Sequence, residues 1–525
     1  MRSSLIVSIR WRPHCMHSSR GSSGKRCTST GRKCDGYEFP NEQSKSATAN
    51  SALLPPRRAH ATFSQIFMPN SLSAAFSGST QERRAFHRFV VCTVPAFTGA
   101  SESGFWGSLV LKVGQEDSVI RNAIIALSTL HEDYQERGGK YDPRIIKQQG
   151  HQYAVQLYTQ SLHQVQERLS DNTRSNVTLA IISSILFVCF EVLQRNNMNA
   201  VLHYQAGMRE TIRQMKLQED AKISPPTAST AMIRQIPQSD LDELLRVFAR
   251  YDIQACTFSK PQAERLETEL PLVPPTNLTL DQVRRHLDNL LIAVYQMVGS
   301  DLGMYRYRDT SEVPVEWLRR RDEGVQTFET WLDALGSFLD AAESTLTPMD
   351  LKVLLGLRLQ IRVAIMMLKT CIDCKAEMNF DCFRPDFDDM VSRVERMTQK
   401  LLLKEGKPLD IETTPFTMEL GVIHPLFFVA TKCRDWALRR RAITQLKKGG
   451  KEGVWEGPIM AVVAERLMQI EERDVPWGAS IPELNRIHKI VKNVNYDGRQ
   501  VFVDAQRSLD GTFTKWETLQ QVVNF

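Results

Sequence analysis

Cys27 and Cys34 stand with six residues between them in the stretch Lys25-Arg26-Cys27-Thr28-Ser29-Thr30-Gly31-Arg32-Lys33-Cys34-Asp35-Gly36-Tyr37-Glu38. Thiolates are good zinc ligands, and a closed structural site takes four donors, so this pair alone is half of one. The segment is basic, glycine-containing and far too polar to pack as a core. The bland alternative is a solvated basic loop carrying two incidental cysteines.

Other residues of chemical interest are less well spaced. Cys371-Ile372-Asp373-Cys374, with Cys382 eight residues later, has the look of a second metal site; a closed one needs a fourth ligand, for which His424 and Cys433 are the candidates. Cys371 and Cys374 continue a helical pattern, however, and read as packing or reduced surface thiols. His131-Glu132 begins like a zinc-protease helix, but Gln135 holds the place of the second histidine. His131 therefore reads as structural, at a helix end. Arg439-Arg440-Arg441 and Lys447-Lys448 alternate with Trp436, Leu438, Ala442, Ile443 and Leu446. That alternation predicts a solvated helix face, with a nuclear import signal as the alternative. No phosphate-binding glycine loop, dinucleotide fingerprint or nucleophile elbow is present. No catalytic residue is assigned, and no enzyme activity is expected.

A chain of 525 residues is long enough for two or more domains. A net charge of +6 is mild for that length and is no evidence for nucleic-acid binding by itself. Ten cysteines at irregular intervals point to a reducing compartment rather than a disulfide framework. The longest apolar run, Val177 to Phe190, is short of the ~20 residues that span a bilayer and contains Ser183 and Ser184, so it predicts a buried helix and no membrane partner. Met1 to Lys33 has arginines, serines and no acid, the composition of a mitochondrial transit peptide; a misread first exon is the other explanation for it.

From Phe39 to about Ser79 the composition turns to Pro, Ser, Ala, Thr and Asn, which predicts a disordered linker. Pro55-Pro56 and the absence of heptads argue against a coiled coil there. Beyond it the helical period takes over. Ile120, Ala123, Ile124, Leu127, Leu130 and Tyr134 share a face, with Asp117 at the start and Gly138-Gly139 at the stop. Asp142-Pro143 opens the next helix, whose face runs Ala154, Tyr158, Leu162, Val165, Leu169. Helices follow at 177–193 and about 200–217, then an exposed loop around Pro225-Pro226. Ser239 with Asp242 and Thr347 with Asp350 are capping-box patterns ahead of two more. Further helices cover about 425–447 and 458–473. Asp497-Gly498, flanked by alternating runs, predicts a C-terminal β-hairpin.

The wording around Cys27 and Cys34 closely resembles the end of the fungal binuclear zinc-cluster DNA-binding domain, in which C-x2-C-x6-C occurs twice. The long helical region resembles the regulatory domain that follows such clusters. That likeness rests on Gly104-Phe105-Trp106, the stretch from Val119 to Leu127, Phe187 to Glu191, and above all Pro425 to Asp435, Arg439-Arg440-Arg441-Ala442 and Glu452-Gly453-Val454-Trp455.

The resemblance implies a mainly α protein: a partial zinc-cluster segment at 1–38, a linker at 39–79 and a helical regulatory domain at 80–525. It implies a nuclear regulator of RNA polymerase II transcription that binds specific DNA, with structural zinc on Cys27 and Cys34 as the last two of six ligands. Lys25, Arg26, Arg32 and Lys33 would then contact phosphates. Partner proteins or a small-molecule effector would act on the helical domain. An interaction or effector-binding protein without DNA binding is the alternative. The family pattern places a cysteine where Gly24 stands, and upstream only Cys15 is available. Two zinc ions are therefore not expected in the first 60 residues, and the natural transcript is expected to encode the missing cysteines upstream.

Overall fold

Asp117 accepts a hydrogen bond from the Val119 backbone at 2.7 Å and so starts the helix Ser118–Glu136. Gly138 and Gly139, both at positive φ, end it as the spacing predicts. The computed structural model describes residues 78–98, 104–139, 149–169, 174–223, 238–258, 280–342, 346–372, 376–404 and 416–525. The chain divides into Met1–Gln65 and Ile66–Phe525, and every described residue lies in the second unit. The linker, the cysteine pair at 27 and 34, the start at Asp142-Pro143 and the loop at Pro225-Pro226 lie outside the described residues.

Among the described residues three large apolar centres follow one another along the chain, with a smaller one at Leu302, Val313, Cys371 and Ile372. The first joins Thr80–Arg88, Ser118–Glu136, Gln149–Arg168, Arg174–Leu193, Asn197–Ile223 and Gln238–Phe258. At its middle, Asn176–Leu193 is apolar and long enough to cross a membrane by length and composition. Here Ile181, Ile182, Ile185, Cys189 and Phe190 are all buried, so its hydrophobicity serves the core. The helix Asn197–Ile223 comes so close that a Cβ on Gly207 would lie 2.0 Å from Ser184 Oγ.

The second centre packs Leu280–Gln296, Val315–Ala342 and Pro348–Thr370. Thr347 caps the last of these as predicted: its hydroxyl accepts from Asp350 N at 3.1 Å, and Asp350 accepts from Thr347 N at 2.8 Å. The other expected cap differs, because Gln238 is already helical and Ser239 falls inside the first turn. The third centre holds Arg384–Lys404, Ile423–Lys432, Trp436–Lys448 and Gly457–Glu471. The 425–447 stretch is two helices, divided where Asp435 accepts from Ala437 N and Leu438 N and starts the second.

Two small sheets tie these centres together. In the first, β1 (Phe416–Thr417) pairs parallel with β2 (Lys451–Glu452), which pairs antiparallel with β3 (Trp455–Glu456). Phe416 inserts between the rings of Phe97, His131 and Tyr134, so β1 completes the first helical centre. The second sheet contains the expected hairpin, β4 (Lys489–Asn495) and β5 (Gln500–Ser508) joined through Asp497-Gly498. It also has a third antiparallel strand, β6 (Trp516–Asn524), delivered by the turn at Asp510-Gly511, where Gly511 has φ 66°. Val501, Val503 and Ala505 face the helices, and Phe502 between them is half exposed.

Arg195 links distant parts of the chain. It sits just past the helix Arg174–Leu193 at φ 67°, a left-handed conformation unusual for a residue with a Cβ. Its guanidinium makes two hydrogen bonds to Glu456 of β3, at 2.8 and 3.1 Å, and a third to Gly139 O at 3.0 Å.

Candidate functional site

Cys27, Cys34, Lys25, Arg26, Arg32 and Lys33 lie outside the described residues, so the geometry neither joins nor separates them. Among the described residues, no group of three or more His, Cys, Asp or Glu side chains is placed to hold a metal ion. Cys371 is buried, and its thiol donates to Leu368 O at 3.0 Å; Cys382 is exposed and donates to Asn379 O at 3.0 Å. His131 stands five residues before its helix ends, fully inside the core, with Nδ1 3.1 Å from Thr93 Oγ1. Burial, helped by nearby Arg88, lowers its pKa to about 4 and keeps the imidazole neutral.

The arginine-rich stretch keeps the expected solvated face at Lys447 and Lys448, which are exposed, and at Arg440 and Arg441, which are partly exposed; Arg439 departs from it. Arg439 is fully buried and binds Glu471 at 2.7 Å, while Arg440 bonds Glu472 at 3.0 Å and Arg441 bonds Asp388 and Glu395 at 2.6 and 2.7 Å. The same Glu471 accepts from Arg434 at 2.8 Å and from the Ile487 backbone at 2.7 Å. Next to it, buried Glu377 meets Lys432 at 2.7 Å, Arg306 at 2.8 Å and Arg434 at 3.0 Å. Burial alone would raise its pKa, but the surrounding cations hold it at about 2. Arg486 adds two bonds to Asp381, at 2.7 and 2.8 Å. Charges out of water persist only when paired in this way. The network secures the stretch just before β4 against the helices, and its groups are committed to one another.

A second polar cluster is incompletely satisfied. On β4 the side chains of Ile490, Lys492 and Val494 share one face, and both apolar neighbours pack on the third centre. The Lys492 ammonium lies 4.2 Å from the ring centroid of Phe258, 4.6 Å from that of Trp455 and 5.5 Å from that of Phe427. Among the described residues no carboxylate pairs with it. Desolvation lowers its pKa to about 7.

The rings around Lys492 are firmly held. Trp455 is buried and its indole N–H donates to Thr257 Oγ1 at 3.2 Å. Gly453, at φ 54°, lets the β2–β3 turn pass so close to Gln254 that a Cβ would overlap its amide. Val454 N then donates to Gln254 Oε1 at 3.3 Å. Glu452 accepts from the backbone of Gly421, Val422 and Ile423 at 3.0, 3.1 and 3.0 Å, which fixes the start of the helix Ile423–Lys432. His424 on that helix packs 5.0 Å from the Trp455 ring. Gln360 Nε2 donates to Gly421 O at 3.3 Å, so its Oε1 faces the other way and accepts from Tyr295 OH at 3.1 Å and from His424 Nδ1 at 3.0 Å. Burial first, and Lys492 second, lower the His424 pKa to about 3. Neutral His424 thus carries its proton on Nδ1, and Nε2 makes no hydrogen bond among the described residues.

The most specific sequence phrases, Pro425 to Asp435 and Glu452 to Trp455, therefore converge on this cluster. Lys492 and Phe258 escaped the sequence reading. The signal for Lys492 was a lysine at an inward position of an alternating strand.

The fungal specific transcription factor domain family matches this chain over residues 84–416. The chain belongs to that family. A curated relative in this family's functional class is an aspercryptin biosynthesis cluster-specific transcription regulator of Emericella nidulans, 31% identical over 210 residues. The match covers 38% of this chain and 31% of that relative, so only about a third of the relative's length is spanned. No solved structure matches. The family is one described by its transcription factors. The matched region runs from the first helix to β1; Phe258 lies within it, whereas His424, Phe427, Trp455 and Lys492 lie beyond it.

Proposed function

We propose that this chain is a nuclear transcription regulator for RNA polymerase II genes. Its N-terminal segment contacts DNA and its helical body controls the outcome. The observation that carries this is the family match over 84–416 in a chain whose earlier residues hold Cys-x6-Cys in the wording of a zinc cluster. In that role Cys27 and Cys34 ligate structural zinc, which cross-links a segment too small to hold a core. Lys25, Arg26, Arg32 and Lys33 neutralise phosphates, so affinity falls steeply with salt.

A second reading is favoured by one specific fact: only Cys15, Cys27 and Cys34 supply thiolates in the first 60 residues. On that ground the helical body acts as an interaction or effector-binding protein without reading DNA. Two measurements on the full chain separate these. Tethered to a reporter through a foreign DNA-binding module, it should change transcription; unchanged output refutes regulation. Untethered, it should bind DNA with an affinity that drops between about 50 and 200 mM salt and is lost in Cys27→Ser. Regulation without DNA binding selects the second reading.

A further inference from the structure

We propose that Lys492 and the rings of Phe258, Phe427 and Trp455 bind a small aryl carboxylate, the signal that the helical body reads. The regulatory half of that statement rests on the function proposed above; the binding half stands on geometry.

The first support is a contrast within the molecule. Half-buried Lys432 and buried Lys451, Arg434, Arg439 and Arg486 each have a carboxylate between 2.7 and 3.7 Å away. Lys492 is drawn under three aromatic rings and has no such partner among the described residues. Ring faces compensate a desolvated ammonium only in part, and an anion would complete the compensation. Access is the second support, since Lys492 and Phe258 are both partly exposed while Trp455 and Phe427 behind them are buried. Rigidity is the third: Trp455 and Phe258 meet edge to face at 5.4 Å, and the indole is fixed by its bond to Thr257.

These features specify the ligand's chemistry. One ammonium, with neither arginine nor a second lysine on the same rings among the described residues, suits a single negative charge, hence a carboxylate rather than a phosphate. Flat aromatic walls suit a flat aromatic body. An inward lysine on β4, an edge strand, also discourages pairing with another chain. That role needs only a charge that resists burial; it does not need a seat beneath three rings.

The test is isothermal titration of the full chain with 2-naphthoate, with 2-naphthalenemethanol and hexanoate as ligands lacking the charge and the ring. Saturable binding is expected for 2-naphthoate, with both controls about tenfold weaker or more. Lys492→Gln should weaken 2-naphthoate by about tenfold or more, while Lys492→Arg keeps binding within about threefold. Phe258→Leu, at a partly exposed position, serves as an independent variant expected to lose about fivefold. Circular dichroism and the unfolding midpoint establish that each variant is folded. No saturation of the wild type by about 5 mM overturns the proposal, and so does equal binding by Lys492→Gln and wild type. Because titration involves no DNA, Lys492-dependent binding alongside a silent tethered reporter would refute the regulator reading and leave the site standing. An active reporter with no binding would do the reverse.

Discussion

Replacing Arg195 by glycine sets two effects of opposite sign against each other. The residue is held at φ 67°, and a glycine there relieves a conformational cost of about 1–2 kcal/mol. Against this stands the loss of the guanidinium. It is almost wholly buried, makes two bonds to Glu456 at 2.8 and 3.1 Å, and lies 5.5 Å from the Tyr496 ring and 6.0 Å from that of Tyr134. Without it the Glu456 carboxylate keeps, among the described residues, Lys451 at 3.7 Å. Breaking a buried pair from one side costs about 3–5 kcal/mol, so Arg195→Gly should destabilise by a net ~1–4 kcal/mol. Equilibrium urea unfolding of the full chain, followed by tryptophan fluorescence, measures this through the midpoint at constant slope. Glu456→Gln and the double variant complete a cycle, in which a coupling of at least ~1.5 kcal/mol is expected. An Arg195→Gly protein as stable as the wild type, or more stable, would refute the reasoning: the ion pair would then contribute less than the strain it maintains.

Glu377→Gln leaves Lys432, Arg434 and Arg306 facing a neutral amide and should cost about 3–5 kcal/mol in the same assay; a change under ~1 kcal/mol contradicts the account of that cluster. His131 and His424 have native pKa values of about 4 and about 3, against 6.5 in the unfolded chain. Above pH 6.5 both states are neutral at these rings and the full stability is present. Below it the unfolded chain takes up protons that the native state refuses, so stability falls by about 1.4 kcal/mol per pH unit for each ring until its native pKa is passed. His131→Gln should make that slope shallower between pH 6 and 4, and an unchanged slope counts against a neutral buried His131. Thr347→Ala removes a capping box and should cost about 1 kcal/mol, detected as a lower urea midpoint.

Features set by near neighbours in the chain were legible. Asp117, Thr347 and the Asp497-Gly498 turn act within four residues, and each starts or turns its element where its chemistry requires. Features set by remote partners were not. Arg439 carries the same local pattern as a surface residue, and its burial is made tolerable chiefly by Glu471, 32 positions later. The third strand of the C-terminal sheet was missed for a different reason. β6 alternates weakly, with polar Glu517, Gln520 and Gln521 among its few apolar positions, because it is an edge exposed on much of its length. Phe258, Trp455 and Lys492 belong to three separate elements, so nothing in the spacing of any one of them announces the cage.

The insertion of Phe416 among Phe97, His131 and Tyr134 also sets a schedule for biosynthesis. Thr417 donates to Phe97 O across 320 residues of sequence. At ribosomal speeds of ~5–20 residues per second, that face waits roughly 16–64 s for its cover. Throughout that interval the nascent helices present an aromatic surface that is a natural target for chaperones and for self-association. A fragment ending before β1, inside the region by which the family is recognised, would keep that surface permanently and should be recovered aggregated where the longer chain is soluble.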